Sequence, residues 1–127
     1  MWKYYNPNPH NKSTGDCVIR AITKVIGADW DTVYVLICAE GFLLKELPPT
    51  DNVWRSFLSK NGFHRYMVQD AVIDGYTVKQ FCNENPKGTF LLFVGEHVIA
   101  VIDGDYYDTW DSGDEIPSFF FLLRAMS

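Results

Sequence analysis

A chain of 127 residues, 47% hydrophobic and 16% aromatic, carries enough apolar surface for one folded domain over 1–127 and too much for a disordered segment. Its 16 acidic and 11 basic side chains give a net charge of −5, and the bases are scattered without a Lys/Arg run, which argues against a nucleic-acid footprint. The three cysteines, Cys17, Cys38 and Cys82, are odd in number and widely spaced, and so suit neither a disulfide framework nor a structural zinc site.

Residues 1–13 hold Asn6-Pro7-Asn8-Pro9, which forbids regular helix and favours an extended arm. Trp2, Tyr4 and Tyr5 give that arm side chains with which to pack on the body. The start, Met1-Trp2-Lys3-Tyr4-Tyr5-Asn6-Pro7, has no apolar signal-peptide core, and no apolar run approaches the roughly 20 residues of a membrane span. The expectation is a cytoplasmic protein with reduced thiols and no membrane partner.

Residues 14–83 read as mainly helical. Thr14 and Asp16 are N-cap residues, and Val18, Ile22 and Val25 recur on one face of a helix that starts near Cys17 and stops at Gly27. Arg20 and Lys24 share its opposite face. Asp29 caps a second helix with Trp30, Val33, Tyr34 and Ile37 inward and Gly41 as its end; Cys38 falls inside it as a small packing residue. Thr50 or Asp51 opens a third helix, with Val53, Trp54, Phe57 and Leu58 inward and Asn61-Gly62 closing it. Phe63–Val68 is a candidate short strand, a loop runs to Tyr76, and Thr77 caps a short helix carrying Val78, Phe81 and Cys82.

From 88 to 123 the pattern becomes antiparallel sheet. Thr89–Val94 and His97–Ile102 are unbroken apolar runs of strand length separated by Gly95. Asp103-Gly104 signals a tight hairpin, Asp105–Trp110 is the return strand, and Ser118–Leu123 is a last strand after a polar loop at Ser112–Glu115. Helices first and antiparallel sheet afterwards make an α+β fold, with N-terminal helices packed on a C-terminal sheet.

Chemistry is concentrated at three places in this layout. A helix N-terminus and a nearby imidazolium both favour thiolate over thiol, and Cys17 has the first by its position. His97, at the mouth of a strand, can supply the second and then protonate a leaving amine. A carboxylate must hold the other ring nitrogen. A two-residue loop at Asp103-Gly104 pairs Ile102 with Asp105 and His97 with Trp110, which puts Asp108 on the histidine's face one diagonal step away. A three-residue loop pairs His97 with Asp111 directly. The Asp-Gly preference favours the first register. The backbone N–H of Cys17 is a natural oxyanion donor, and Asn11, six residues earlier, is a candidate second, with Asn8 and Asn6 as other choices. His10 and His64 read as core or surface residues, Asp16 as a cap, and Asp105, Asp114 and Glu115 as solvated loop charges.

The order Cys, His, Asp on helix, strand and strand resembles papain-like peptidases. Asn11 falls where papain-like and bacteriocin-processing peptidases carry an oxyanion glutamine. His97-Val98-Ile99-Ala100-Val101 followed by Asp103-Gly104-Asp105 resembles a segment of those peptidases and of transglutaminase-like proteins in which the acid closes the second strand, a place that Asp111 matches. Gly15-Asp16-Cys17-Val18-Ile19-Arg20-Ala21-Ile22 is similar to the cysteine motif of ovarian-tumour-type deubiquitinases, with Thr14 where those enzymes carry aspartate. The chain also resembles small papain-like proteins of bacteria and their phages. The resemblance implies a single papain-like domain and a cysteine peptidase or amide hydrolase with a thioester intermediate. It implies Cys17 as nucleophile, His97 as acid and base, Asp111 (alternatively Asp108) as orienter, Asn11 at the oxyanion, and a protein or peptide substrate without a cofactor. The alternatives are a deamidase or transglutaminase-type acyl transferase, a non-catalytic protein-binding module on the same fold, and a metal site built from His97, Asp108, Asp111 and Cys17.

Overall fold

The hairpin turn at Asp103-Gly104 sets the register of the centre of the sheet. Both residues take positive φ, 50° and 84°, the backbone that a two-residue turn between twisted strands requires. Ile102 pairs with Asp105, Val101 with Tyr106 and Ala100 with Tyr107, so β4 (His97–Ile102) and β5 (Asp105–Asp108) are joined by two residues. The computed structural model describes residues 1–12, 15–68 and 74–123; Thr14, expected as a cap, lies outside them.

Six strands form one mixed sheet in the order β1-β5-β4-β3-β6-β2, with β1 Trp2–Tyr4, β2 Phe63–Met67, β3 Thr89–Val94 and β6 Phe119–Leu123. The strands of 88–123 pair antiparallel, as expected, and the sheet gains one further strand at each edge from outside that range. The N-terminal arm supplies β1, which runs parallel to β5, because Trp2, Lys3 and Tyr4 can pair before the prolines stop the strand. The mainly helical stretch supplies β2, antiparallel to β6.

Four helices complete the α+β fold among the described residues: α1 Cys17–Ile26, α2 Trp30–Leu44, α3 Asp51–Lys60 and α4 Val78–Glu84. Gly27 ends α1 in the left-handed conformation (φ 71°). Asp29 caps α2 by accepting from the Thr32 N–H at 2.8 Å, and Thr77 and Gln80 form a reciprocal capping box on α4. Gly41 does not end α2, which runs on to Leu44. The chain after the helix folds back over that position, so that a Cβ on Gly41 would sit 2.8 Å from the Glu46 carbonyl oxygen; glycine is there for close approach.

The sheet is covered on both faces. Ala21, Ile22, Val33, Trp54 and Phe57 of α1–α3 pack with Leu91, Phe93, Val98, Ala100 and Phe121. On the other face Val78, Phe81 and Cys82 of α4 pack with Phe90, Leu92, Ile99, Val101 and Tyr106. Two-sided burial is why β3 and β4 read as continuous apolar runs and not as alternating ones. Leu91, fully buried in the central strand β3, should cost about 2–5 kcal/mol when cut to Ala, measured by denaturant unfolding. Among the described residues, no helix is long and apolar enough to cross a membrane.

Candidate active site

The N-terminus of α1, the start of β4 and the end of β5 meet at one end of the sheet. Extending the hairpin register beyond its paired residues sets His97 across from Trp110, and their rings lie 5.4 Å apart. Asp108 is then the diagonal neighbour of His97 on the same face, and its Oδ2 lies 2.5 Å from His97 Nε2. With Nε2 given to Asp108, Nδ1 is the nitrogen left for Cys17, whose thiol the neighbouring imidazole lowers. Cys17 Sγ is 3.7 Å from the Glu96 carbonyl oxygen, and the Val98 backbone N–H favours its thiolate. The structure therefore brings together Cys17, His97 and Asp108.

Asp111, favoured by the family resemblance, is not part of this group. Its carboxylate accepts from the Tyr106 hydroxyl and from the Gly113 N–H at 3.1 Å. The two-residue turn puts Trp110, not Asp111, across from the histidine, and the chain leaves the sheet after Asp108. Asn11 also stands apart. It is exposed with φ 53°, its Oδ1 accepts from Asn6 Nδ2 at 3.2 Å, and it does not line the groove that opens at Cys17. The prolines and the Asn8–Asn11 turn, closed by the Asn11 N–H on the Asn8 carbonyl at 2.9 Å, hold this part of the arm as a self-bonded loop.

Two further side chains complete the arrangement. Arg20, expected on the polar face with Lys24, is 6% exposed. Its Nη1 bonds Asp16 Oδ1 at 2.9 Å and its Nη2 reaches Asp108 Oδ1 at 3.4 Å. Asp16 makes no side-chain cap; its carboxylate takes Arg20 and the Trp30 indole N–H at 2.8 Å. Ser112, read as part of a polar loop, is fully buried and donates to Asp108 Oδ2 at 2.8 Å. The Thr109 N–H donates to Asp108 Oδ1 at 2.8 Å. The only trace of Arg20's part in the sequence is its position one helical turn after Cys17, four residues after an aspartate. Ser112 left no local signal.

These contacts set the charges. Burial pushes the Cys17 thiol up, but the His97 hydrogen bond, the Val98 N–H and the positive charges of His97 and Arg20 outweigh it and bring the thiol below its ordinary value. Burial works to lower His97, yet Asp108 and Cys17 raise it to about 9. Burial raises Asp108, and His97, Ser112 and the Thr109 N–H more than reverse that, which keeps it ionised. Both shifts favour a thiolate beside an imidazolium that a carboxylate holds in place.

Cys17 opens onto a groove of about 720 Å³ between the N-terminus of α1, the α2–α3 connection and the β3–β4 turn. Tyr34, Trp54, Phe93 and Phe119 make its walls apolar, and Arg55 and Glu96 add charge. The first amides of α1 have no intrahelical acceptor and offer donors at the mouth of the groove, beside the sulfur. Cys17, His97 and Asp108 are grouped at this mouth, with His97 bonded to Asp108; among the described residues no three His, Cys, Asp or Glu side chains surround a point where a metal ion could sit. The remaining histidines, His10 and His64, are exposed. No protein-family model, curated protein or solved structure matches the chain.

Proposed function

We propose that the protein is a papain-like cysteine hydrolase acting on a peptide, isopeptide or side-chain amide. The observation that carries the reading is the continuous line from Cys17 through His97 to Asp108 at the mouth of an apolar groove. In this mechanism the Cys17 thiolate adds to the amide carbonyl carbon, and the amides at the start of α1 stabilise the developing oxyanion. The C–N bond then breaks as the nitrogen takes a proton from the His97 imidazolium, which leaves a thioester on Cys17. Water gives a proton to the now neutral His97, adds to the thioester and releases the acid, returning the sulfur as thiolate. An amine in place of water would make the same acyl-enzyme a transferase. Asp108 keeps the ring oriented and its charged form stable. The three cysteines are all free, which supports work in a reducing compartment such as the cytoplasm.

The pH dependence has a definite sign. Below the lowered pKa of Cys17 the sulfur takes up a proton and the nucleophile is lost. Above about 9 His97 loses its proton and the leaving amine has no acid. Amide hydrolysis should therefore follow a bell with its descending limb near that value. Alkylation tests the nucleophile without a known substrate. At pH 6, iodoacetamide should modify Cys17 in the folded protein at least about tenfold faster than in the urea-unfolded chain, and His97→Ala should abolish the difference. Equal rates in the folded and unfolded protein, read by peptide mass spectrometry, would refute an activated thiol.

A further inference from the structure

Helix α2 is apolar around its circumference, unlike α1 and α3. It turns only Val33, Ile37, Glu40 and Gly41 into the fold. On its outer side Val35 is 63% exposed, Leu36 41%, Phe42 71% and Leu43 65%, with Ala39 exposed between them. These positions follow the i, i+3, i+4, i+7 spacing of one helix face. They leave four large apolar side chains in water along one helix face, the kind of contiguous exposed patch that marks an interaction site. The one acid inside the helix beyond its first turn, Glu40, points inward, where it accepts from the Ser56 hydroxyl and pairs with Lys60 Nζ at 2.9 Å. The outer face therefore carries no carboxylate, and the charge nearest to it is the Lys45 ammonium at the C-terminal end of the helix, over the Phe42 ring at 3.9 Å.

The face is also symmetric along the chain. Val35 and Leu36 stand four and three residues before Ala39, and Phe42 and Leu43 three and four after it. Large side chains flank a small centre on both sides. We infer that this face pairs with its own copy, two α2 helices crossing antiparallel at Ala39 about a twofold axis. Val35 and Leu36 of one protomer then pack against Phe42 and Leu43 of the other. The small centre lets the helices approach, and the bulky shoulders interdigitate, as ridges-into-grooves packing requires. An isologous contact needs just such a self-complementary patch. A lipid surface fits less well: a helix that lies on a membrane is rimmed by Lys and Arg, whereas this one is flanked by Asp31 and Glu46 with Lys45 alone, on a chain of net charge −5. The inference is independent of the hydrolase reading.

The test is the mass in solution of the full chain and of Ala39→Arg, by light scattering and sedimentation velocity across the micromolar range. Arginine is a good helix former at an exposed position, so circular dichroism and the unfolding midpoint should stay close to those of the parent. The parent should have twice the chain mass of 14.6 kDa and Ala39→Arg the single mass. As a second variant, Ala39→Cys in a Cys17→Ser, Cys38→Ser background should form a disulfide-linked dimer on mild oxidation, since the axis passes that residue; this arm decides the matter if the arginine variant fails to fold. A parent that stays at the single mass at every concentration would overturn the inference. So would a dimer that Ala39→Arg leaves intact, or a monomer that sediments with anionic vesicles.

Discussion

Asp108→Asn should slow amide hydrolysis by about 10²–10⁴-fold, the range expected when the group that orients and charges a catalytic histidine is neutralised, while Asp111→Asn should leave the rate within about twofold of the parent. The two aspartates lie three residues apart and differ entirely in surroundings. Asp108 is fully buried and accepts from His97, Ser112, Thr109 and Arg20. Asp111 serves the Tyr106 hydroxyl and the Gly113 N–H. Against burial, the hydrogen bond and charge of Asp108, together with those of Cys17, raise His97 to about 9. Without that charge, burial acts on the imidazole with less opposition, so the descending limb of the bell should move to lower pH. The thiolate also loses its imidazolium partner over part of the neutral range, and alkylation of Cys17 at pH 6 should slow with it. Turnover of a fluorogenic peptide-amide library and the pH profile of iodoacetamide labelling would measure both effects. A variant at Asp111 that abolishes turnover while Asp108→Asn retains it would reverse the assignment.

Arg20→Met should destabilise the fold by about 3–5 kcal/mol, the usual cost of removing one member of a buried ionic group. The guanidinium lies between two carboxylates, Asp16 and Asp108, that are themselves buried. Methionine keeps much of the volume but leaves the buried Asp16 carboxylate without its cation and Asp108 with His97 alone. The same arginine contributes to lowering the Cys17 thiol, so labelling at pH 6 should also slow in whatever fraction remains folded. Urea unfolding followed by tryptophan fluorescence reads the first effect. A change under about 1 kcal/mol would show that Arg20 is an incidental neighbour and not the tie between α1 and β5.

Arg20 marks where local pattern stops being informative. Apolar spacing along Val18, Ile22 and Val25 located α1, and Arg20 and Lys24 fell together on what reads as its solvent side. Lys24 is half-buried, with its ammonium over the Tyr107 ring at 4.3 Å, and Arg20 is covered because β5 and the Asp16 carboxylate lie against it. Nothing within the helix encodes that contact. Gly41 was similar: a stop signal by composition, but a helix-interior residue because the chain that follows folds back over it.

The carboxylate partner of His97 shows the opposite case. The Asp103-Gly104 turn fixes the β4–β5 register by backbone sterics alone, and that register leads to Asp108; the resemblance to papain-like peptidases points to Asp111. Chain-local physics therefore determined the α+β class, the placement of Cys17 at a helix start, the hairpin and the face that His97 shares with Asp108, since each depends on residues a few positions apart. Tertiary packing decided the parallel edge strand from the arm, the cover on the second face of the sheet, the displacement of Asn11 from the groove, and the recruitment of Arg20 and Ser112. Those contacts join elements whose meeting depends on burial of the whole apolar surface, and burial is a property of the packed chain that no single window of it can carry.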